Sequence, residues 1–256
     1  MKEIILEGTD NIRDFANTVN KKGCLIRPGK LLRSRHLHTL TGADIAVLKK
    51  EHHLSKVIDL RTKTEMKDKP DQEIAGVISV WIPLIEEETV GITHETSTDK
   101  NAEKWVLPDM RQLYRKIVTD DFSINQLSKT LKTIVHCNDG AVLWHCTEGK
   151  DRCGIISALV LSLLDVDRET IFEDYLMTNQ AAVQRADAAM KMVLQKTGDE
   201  EKAQMVRRIF LADEKYLQAA FDAIEEKNES IAAFFANRLG ISEAEKRLLQ
   251  EKCLLK

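Results

Sequence analysis

A chain of 256 residues that is 43% hydrophobic and 31% charged can bury a core of its own, and a formal net charge of -3 excludes a general pull toward nucleic acid or an anionic membrane surface. Any affinity for anions must therefore come from a local arrangement of residues. Five cysteines (Cys24, Cys137, Cys146, Cys153 and Cys253), odd in number and irregularly spaced in a chain that needs no disulfide staples, point to reduced thiols and a cytoplasmic setting.

The opening MKEIILEGTDNIRDF has an apolar run broken by Glu7 and Asp10, too short and too charged for a signal peptide. Export by a route without a signal peptide stays open. Thr41 with Asp44 three residues on has the form of a capping box ahead of Ile45, Val47 and Leu48, and predicts a helix there. Val57-Ile58-Asp59-Leu60 reads as a short strand, Val77 to Leu84 as a second and Ala141-Val142-Leu143-Trp144-His145 as a third. Residues 86–104 (EEETVGITHETSTDKNAEK) lack periodicity and read as a surface loop. Ser123 is placed to cap a helix with Leu127, Leu131 and Ile134 on one face. Strands alternating with helices predict an α/β fold around a central, mostly parallel sheet.

Beyond residue 165 the pattern becomes helical. Asp167 is placed to cap a helix through Glu169, Ile171, Phe172, Tyr175 and Leu176, and further helices are predicted at about 200–226, 230–238 and 242–254. Thr197-Gly198-Asp199 is a break, and Leu239-Gly240 a C-cap. The longest apolar run, Gly154 to Leu164, is too short to span a bilayer, so no stable membrane insertion is expected.

The segment AVLWHCTEGKDRCGIISALVLSLL, residues 141–164, carries the chemistry. A buried-type strand runs into His145-Cys146, a tight loop follows, and an apolar helix starts near Arg152. Such a unit aims backbone N–H groups and the positive helix end into the loop, where they cradle an anion. Gly149 lets the loop curl where a Cβ would clash. Cys146 sits near the helix N-terminus, Lys150 and Arg152, all of which favour its thiolate. Arg152 offers a planar fork for two phosphate oxygens. The chemistry that follows is thiolate attack on phosphorus, protonation of the leaving oxygen, and hydrolysis of the thiophosphate by water. Thr147, Glu148, Gly149, Lys150, Asp151 and Arg152 form the expected phosphate-binding loop.

This segment resembles the cysteine-phosphatase signature of His-Cys, five residues and Arg. More closely, HCTEGKDRCG is similar to the loop of a bacterial tyrosine phosphatase family that reads HCxxGKDR followed by Thr or Ser. That family includes secreted enzymes of intracellular pathogens, active on phosphotyrosine and on phosphoinositides. Asn11-Ile12-Arg13-Asp14-Phe15, Leu32-Arg33-Ser34, Val57 to Arg61 with Glu65, Ile82-Pro83-Leu84 and Tyr175 to Asn179 match its pattern as well. The resemblance implies a cysteine-phosphatase fold over residues 1–256 as one domain, with a helical C-terminal part and a helical lid at about 180–226. It implies a phosphotyrosine protein as first substrate and a phosphoinositide as second, with no metal or organic cofactor and no nucleic-acid partner.

Asp151 is implicated by the resemblance as general acid, and a capping role at the helix start is the alternative. Glu86, after Ile82-Pro83, is similar in position to the loop acid of dual-specificity phosphatases, against the reading of a solvated charge in Glu86-Glu87-Glu88. Lys150 either steers substrate phosphates or faces solvent. Asp59, Arg61, Arg13 and Asp14 read as an ion-pair network behind the loop. Two positions depart from the family pattern: Cys153 replaces the usual hydroxyl, and Glu148 stands where a small neutral residue is common, its charge expected to point outward and to weaken binding of highly anionic substrates. The pairs His136-Cys137 and His145-Cys146 suggest zinc, but a strand rising ~3.3 Å per residue would hold the two cysteines roughly 15 Å apart. Two other classes fit the loop less well. A catalytically weak phospho-binding module would not need the Cys146–Arg152 pair, and a sulfurtransferase or arsenate-type thiol enzyme does not call for the helical second half.

Overall fold

The computed structural model describes residues 1–87 and 109–255. In chain order the elements of the first half are β1 (Lys2–Glu3), β2 (Arg13–Asp14), β3 (Leu25–Ile26), β4 (Leu31–Ser34), α1 (Gly42–Lys50), β5 (Leu54–Asp59), α2 (Lys63–Asp68), β6 (Ile78–Trp81), α3 (Met110–Ile117), α4 (Asp121–Val135) and β7 (Ala141–His145). Then come α5 (Asp151–Leu163), α6 (Arg168–Thr197), α7 (Glu200–Phe210), α8 (Glu214–Lys227), the single turn α9 (Ile231–Ala233) running into a π-helical turn at Phe234–Arg238, α10 (Glu243–Cys253) and β8 (Leu254–Leu255).

Six strands form one sheet in the order β1-β2-β4-β7-β5-β6. The β4, β7, β5 and β6 pairings are parallel, and the short β1–β2–β4 ladder is antiparallel. β7 is buried along its whole length, as an unbroken Ala-Val-Leu-Trp run between two parallel neighbours requires. Ser34 of β4 and Asp59 of β5 both lie level with His145, so three strands end together at one edge. In open α/β sheets that carboxyl edge is where ligands bind. A separate two-stranded sheet pairs β3 with β8.

Helices cover both faces. Trp144, stacked on Phe15 at 5.5 Å, joins residues of α3, α4, α5, α8 and α10 in the larger core, while Leu32, Val57 and Leu143 pack with Leu48 of α1 and Ile74 in the smaller. Thr41 and Asp167 cap α1 and α6 as expected, and Gly198, at φ 65°, ends α6. Ser123 does not cap α4: Asp120 does, accepting the Ser123 N–H, because the extended residue sits three positions earlier than the sequence suggested. The stretch 200–226 is two helices, since Leu211 is extended and Asp213 caps a new helix. α8 buries Leu217, Phe221 and Ile224 in the main core, whereas no residue from 187 to 202 is buried. Of the polar stretch at 86–104, Glu86 and Glu87 are exposed, and the remainder lies outside the described residues. Among the described residues, no helix is long and apolar enough to cross a membrane.

Candidate active site

The loop from Cys146 to Arg152 hangs between the carboxyl end of β7 and the first turn of α5. Its shape is imposed from outside by donors that seize its carbonyls. The His36 amide donates to the Thr147 carbonyl at 3.3 Å, Asn11 Nδ2 to that of Glu148 at 3.0 Å, and Arg33 Nη2 to that of Gly149 at 2.6 Å. In a trans peptide the N–H points opposite to the C=O, so three carbonyls held outward turn the amides of Glu148, Gly149 and Lys150 inward. Gly149 is the position that permits the curl: its φ is +66°, and a Cβ would lie 2.7 Å from the Ser34 carbonyl oxygen and 2.8 Å from the Arg35 nitrogen.

Those outer donors are themselves braced. Arg33 Nη1 and Arg13 Nε both donate to the buried Asp174 carboxylate, at 2.5 and 2.7 Å, and Arg13 Nη1 donates to Asn11 Oδ1 at 2.6 Å. Asp174 is held below its ordinary pKa: burial opposes ionisation, and the two arginines outweigh it. The expected network behind the loop is thus present, but it divides into two. Arg13 belongs to this group, while Asp59 and Arg61 form another in which Arg61 Nη2 is 2.8 Å from Asp59 and 2.9 Å from Asp71. Asp14 pairs with neither arginine and instead accepts the amides of Ala16 and Gly29.

His145, next to Cys146 in the chain, is buried, its Nε2 2.9 Å from Asp71. Burial would lower its pKa, but Asp59 and Asp71 raise it above the ordinary histidine value. Asp59, Asp71 and His145 are the one three-residue group among the described residues spaced to hold a metal ion. The Arg61 guanidinium already lies on both carboxylates, which leaves a cation poorly matched to the site.

Cys146 is 2% exposed. Burial disfavours its thiolate, but the Cys153 thiol, the Arg152 charge and the Cys153 amide together outweigh burial and bring its pKa down to about 6. Cys153, wholly buried, is pushed well above the ordinary thiol value by burial and by the neighbouring Cys146, so it stays protonated, with the Ser34 carbonyl at 3.6 Å and the Trp144 carbonyl at 3.9 Å from its Sγ as further acceptors. Arg152 is fixed by a two-pronged pair with Glu65, Nη1 to Oε2 at 2.5 Å and Nη2 to Oε1 at 2.7 Å. Burial opposes the Glu65 charge, yet Arg152 and Thr147 hold its pKa down to about 2. Thr147 Oγ1 donates to Glu65, so its side chain braces the loop from below.

Asp151 is the first residue of α5, and Lys150 stands at the N-cap with no side-chain cap bond. The Asp151 carboxylate instead accepts the Tyr114 hydroxyl at 2.6 Å, and Tyr114 is 2.7 Å from the Tyr175 hydroxyl. The capping role is therefore corrected. Lys150 is 1% exposed, with its ammonium on the carbonyls of Ile209 and Leu211 and 3.5 Å from Asp151, which corrects the solvent-facing reading. Glu148 is also corrected: its carboxylate is 15% exposed and lies between Arg35 (3.2 Å) and Arg185 (3.1 Å), so no bare negative charge points outward. Glu86 is exposed on the surface after β6.

Several site residues were not assigned roles by sequence reasoning. Thr62 and Glu65 form a capping box for α2, a pattern legible in the sequence, but that the same carboxylate clamps Arg152 is not. Tyr114, Asp71, Asp174, Arg35 and Arg185 carried no local signal.

The chain is 26% identical over 266 residues to the triple specificity protein phosphatase PtpB of Mycobacterium tuberculosis, covering 93% of this chain and 94% of that one. A tyrosine-protein phosphatase of Nostoc commune is 46% identical over 50 residues, 20% of this chain and 17% of that one. The solved core catalytic domain of a PP-IP phosphatase from S. cerevisiae is similar at a TM-score of 0.40 and 12% identity, covering 80% of this chain and 94% of that one. The model of the tyrosine phosphatase family matches residues 4–255, and the chain belongs to that family.

Proposed function

We propose that the protein hydrolyses phosphate monoesters through a phosphocysteine intermediate on Cys146, with phosphotyrosine as first substrate and phosphoinositides as second. One observation carries the reading: a thiol brought down to about 6 lies beside a clamped guanidinium, beneath a loop whose amides are turned inward. At neutral pH most of Cys146 is then thiolate, ready to attack phosphorus. Arg152 commits two donors to Glu65 out of the five a guanidinium carries, and others remain for the phosphoryl oxygens. Asp151, presented by the Tyr114 hydroxyl, protonates the leaving oxygen and then takes a proton from the attacking water. The Cys153 thiol stabilises the sulfur anion as it leaves the thiophosphate. The relative named for triple specificity supports more than one substrate class.

Turnover of an aryl phosphate tests the reading. Cys146→Ser should abolish turnover while phosphate or vanadate still binds. A variant that retained a tenth of wild-type kcat would remove Cys146 as nucleophile, whereas a wild type without turnover would favour the binding-module alternative. Asp151→Asn should slow esters with poor leaving groups most and erase the alkaline limb of the kcat/KM profile. If Glu86→Gln does this instead, the acid lies on the surface after β6.

A further inference from the structure

Beside the loop lies a cluster that the catalytic scheme does not use. Arg35 follows Ser34, which is level with His145 across the β4–β7 ladder, so Arg35 stands next to the nucleophile's strand end. Arg185 reaches the same place from the middle of α6. Glu148, two residues after Cys146, places one carboxylate oxygen against each: Oε1 is 3.2 Å from Arg35 Nη2 and Oε2 is 3.1 Å from Arg185 Nε. Asp10 closes the ring, 3.8 Å from Arg35 Nη1 and hydrogen-bonded to Arg185 Nη1.

Two guanidiniums are thus gathered beside the loop proposed to hold a phosphoryl group. Bringing like charges together is unfavourable unless anions sit between them, and here two carboxylates of the chain do so. The match is incomplete. Arg35 Nε and Arg185 Nη2 are buried and hydrogen-bond to nothing among the described residues, and Asp10 Oδ1 likewise lacks a donor. Buried donors left over beside carboxylates that still reach solvent are what a site shows when its own side chains stand in for an incoming group with more oxygens. The cluster is carried on the loop itself, since the Cα of Glu148 lies at most ~7 Å along the chain from that of Cys146. A group bound there sits beside the loop that would hold the first phosphate. A phosphotyrosine ring separates its phosphate from the next anion of a peptide, whereas an inositol ring carries phosphates on adjacent carbons.

We infer that Arg35 and Arg185 form a second-phosphate subsite for a ring bearing adjacent phosphates, with Glu148 as the internal anion that the second phosphate displaces. This rests on the proposed hydrolase reading and deepens it toward polyphosphorylated inositol. It also inverts the sequence expectation for Glu148, whose charge competes with the ligand for two arginines and does not face the ligand alone.

The test is calorimetry on Cys146→Ser protein with myo-inositol monophosphate and with a myo-inositol bisphosphate whose phosphates are adjacent. The expected result is tighter binding of the bisphosphate. Arg35→Met and Arg185→Met should each cut the bisphosphate-to-monophosphate affinity ratio roughly tenfold, as loss of a charge-assisted pair does. Glu148→Gln, nearly isosteric, should raise that ratio, and Arg185→Lys should lower it with the charge kept, since an ammonium lacks the fork. A ratio unmoved by all four variants would overturn the subsite, as would equal weakening of both ligands, which would make the arginines braces of the loop. A larger loss on an acidic phosphotyrosine peptide than on the bisphosphate would overturn it in favour of peptide recognition. Wild-type turnover of an aryl phosphate reports separately on the hydrolase reading, so an inactive wild type with a shifting ratio would leave the subsite standing and remove only its parent. A vesicle arm, comparing a phosphatidylinositol bisphosphate with its free headgroup, assigns a lipid source if the lipid binds more tightly and a soluble one if it does not.

Discussion

Cys153 lies wholly inside the protein beside Cys146, at the position where the resemblance leads one to expect a hydroxyl, and a thiol is the weaker donor. Cys153→Ala should therefore raise the pH midpoint of Cys146 alkylation by iodoacetamide above about 6, and Cys153→Thr should lower it. The same contact makes the pair a thiol–thiolate couple. Hydrogen peroxide would oxidise the Cys146 thiolate to a sulfenic acid with loss of hydroxide. The Cys153 thiol would then attack that sulfur and expel water to leave a disulfide. Peptide mapping after peroxide should show the Cys146–Cys153 crosslink and recovery of activity with reductant, whereas sulfinic Cys146 beside free Cys153 would refute it. Glu65 makes a second prediction. Its pKa falls from 4.5 to about 2 on folding, so its contribution to stability is full above 4.5 and is lost as pH falls through about 2. Glu65→Gln should destabilise the protein by roughly 3–5 kcal/mol at neutral pH, because it strands a buried guanidinium. It should also flatten the acid limb of the pH–stability curve and weaken phosphate binding. Chemical denaturation across pH measures all but the last. Cys146 and Arg152 were legible because they sit in one short motif; Glu65 is 87 residues from Arg152, and no local pattern links them.

At the level of elements, α5 and α6 are held together at Gly154, where an added Cβ would lie 2.9 and 3.0 Å from the Tyr175 ring. Tyr175 is 1% exposed and hydrogen-bonded to Tyr114, so it cannot give way cheaply. Gly154→Ala should cost about 1–3 kcal/mol, the usual range for overpacking. It should also lower kcat more on poor leaving groups than on good ones, since the displaced tyrosines no longer present Asp151. Thermal melts and a leaving-group series check both parts. Helices with strong caps were readable, as Thr41 and Asp167 show. The two-residue strands β1, β2, β3 and β8 have no period to read, and the gap between α7 and α8 contains neither Gly nor Pro.

Over the whole molecule, the α/β class and the parallel centre followed from alternating strands and helices, but the convergence on the loop did not. Lys150 shows why: its ammonium holds the carbonyls of Ile209 and Leu211, tying the end of α7 to the loop across 59 and 61 residues. Lys150→Met should leave those carbonyls short of a donor and cost about 1–3 kcal/mol. Amide hydrogen exchange in α7 should speed up more than in β7, and equal acceleration in both would refute the anchor. The same long reach bears on synthesis. A nascent chain that has emerged as far as Leu163 already carries Cys146, Arg152 and the helix behind them. It still lacks Asp174, which braces Arg13 from 161 residues away, and Tyr175 and the carbonyls that hold Lys150. The donors that shape the loop, Asn11, Arg33 and the His36 amide, have emerged by then, but the Asp174 brace on Arg13 and Arg33 and the anchor of Lys150 have not. A stalled or truncated chain bearing the full motif should therefore turn over an aryl phosphate more slowly than the complete chain, and activity should rise as translation passes the helices that close the site.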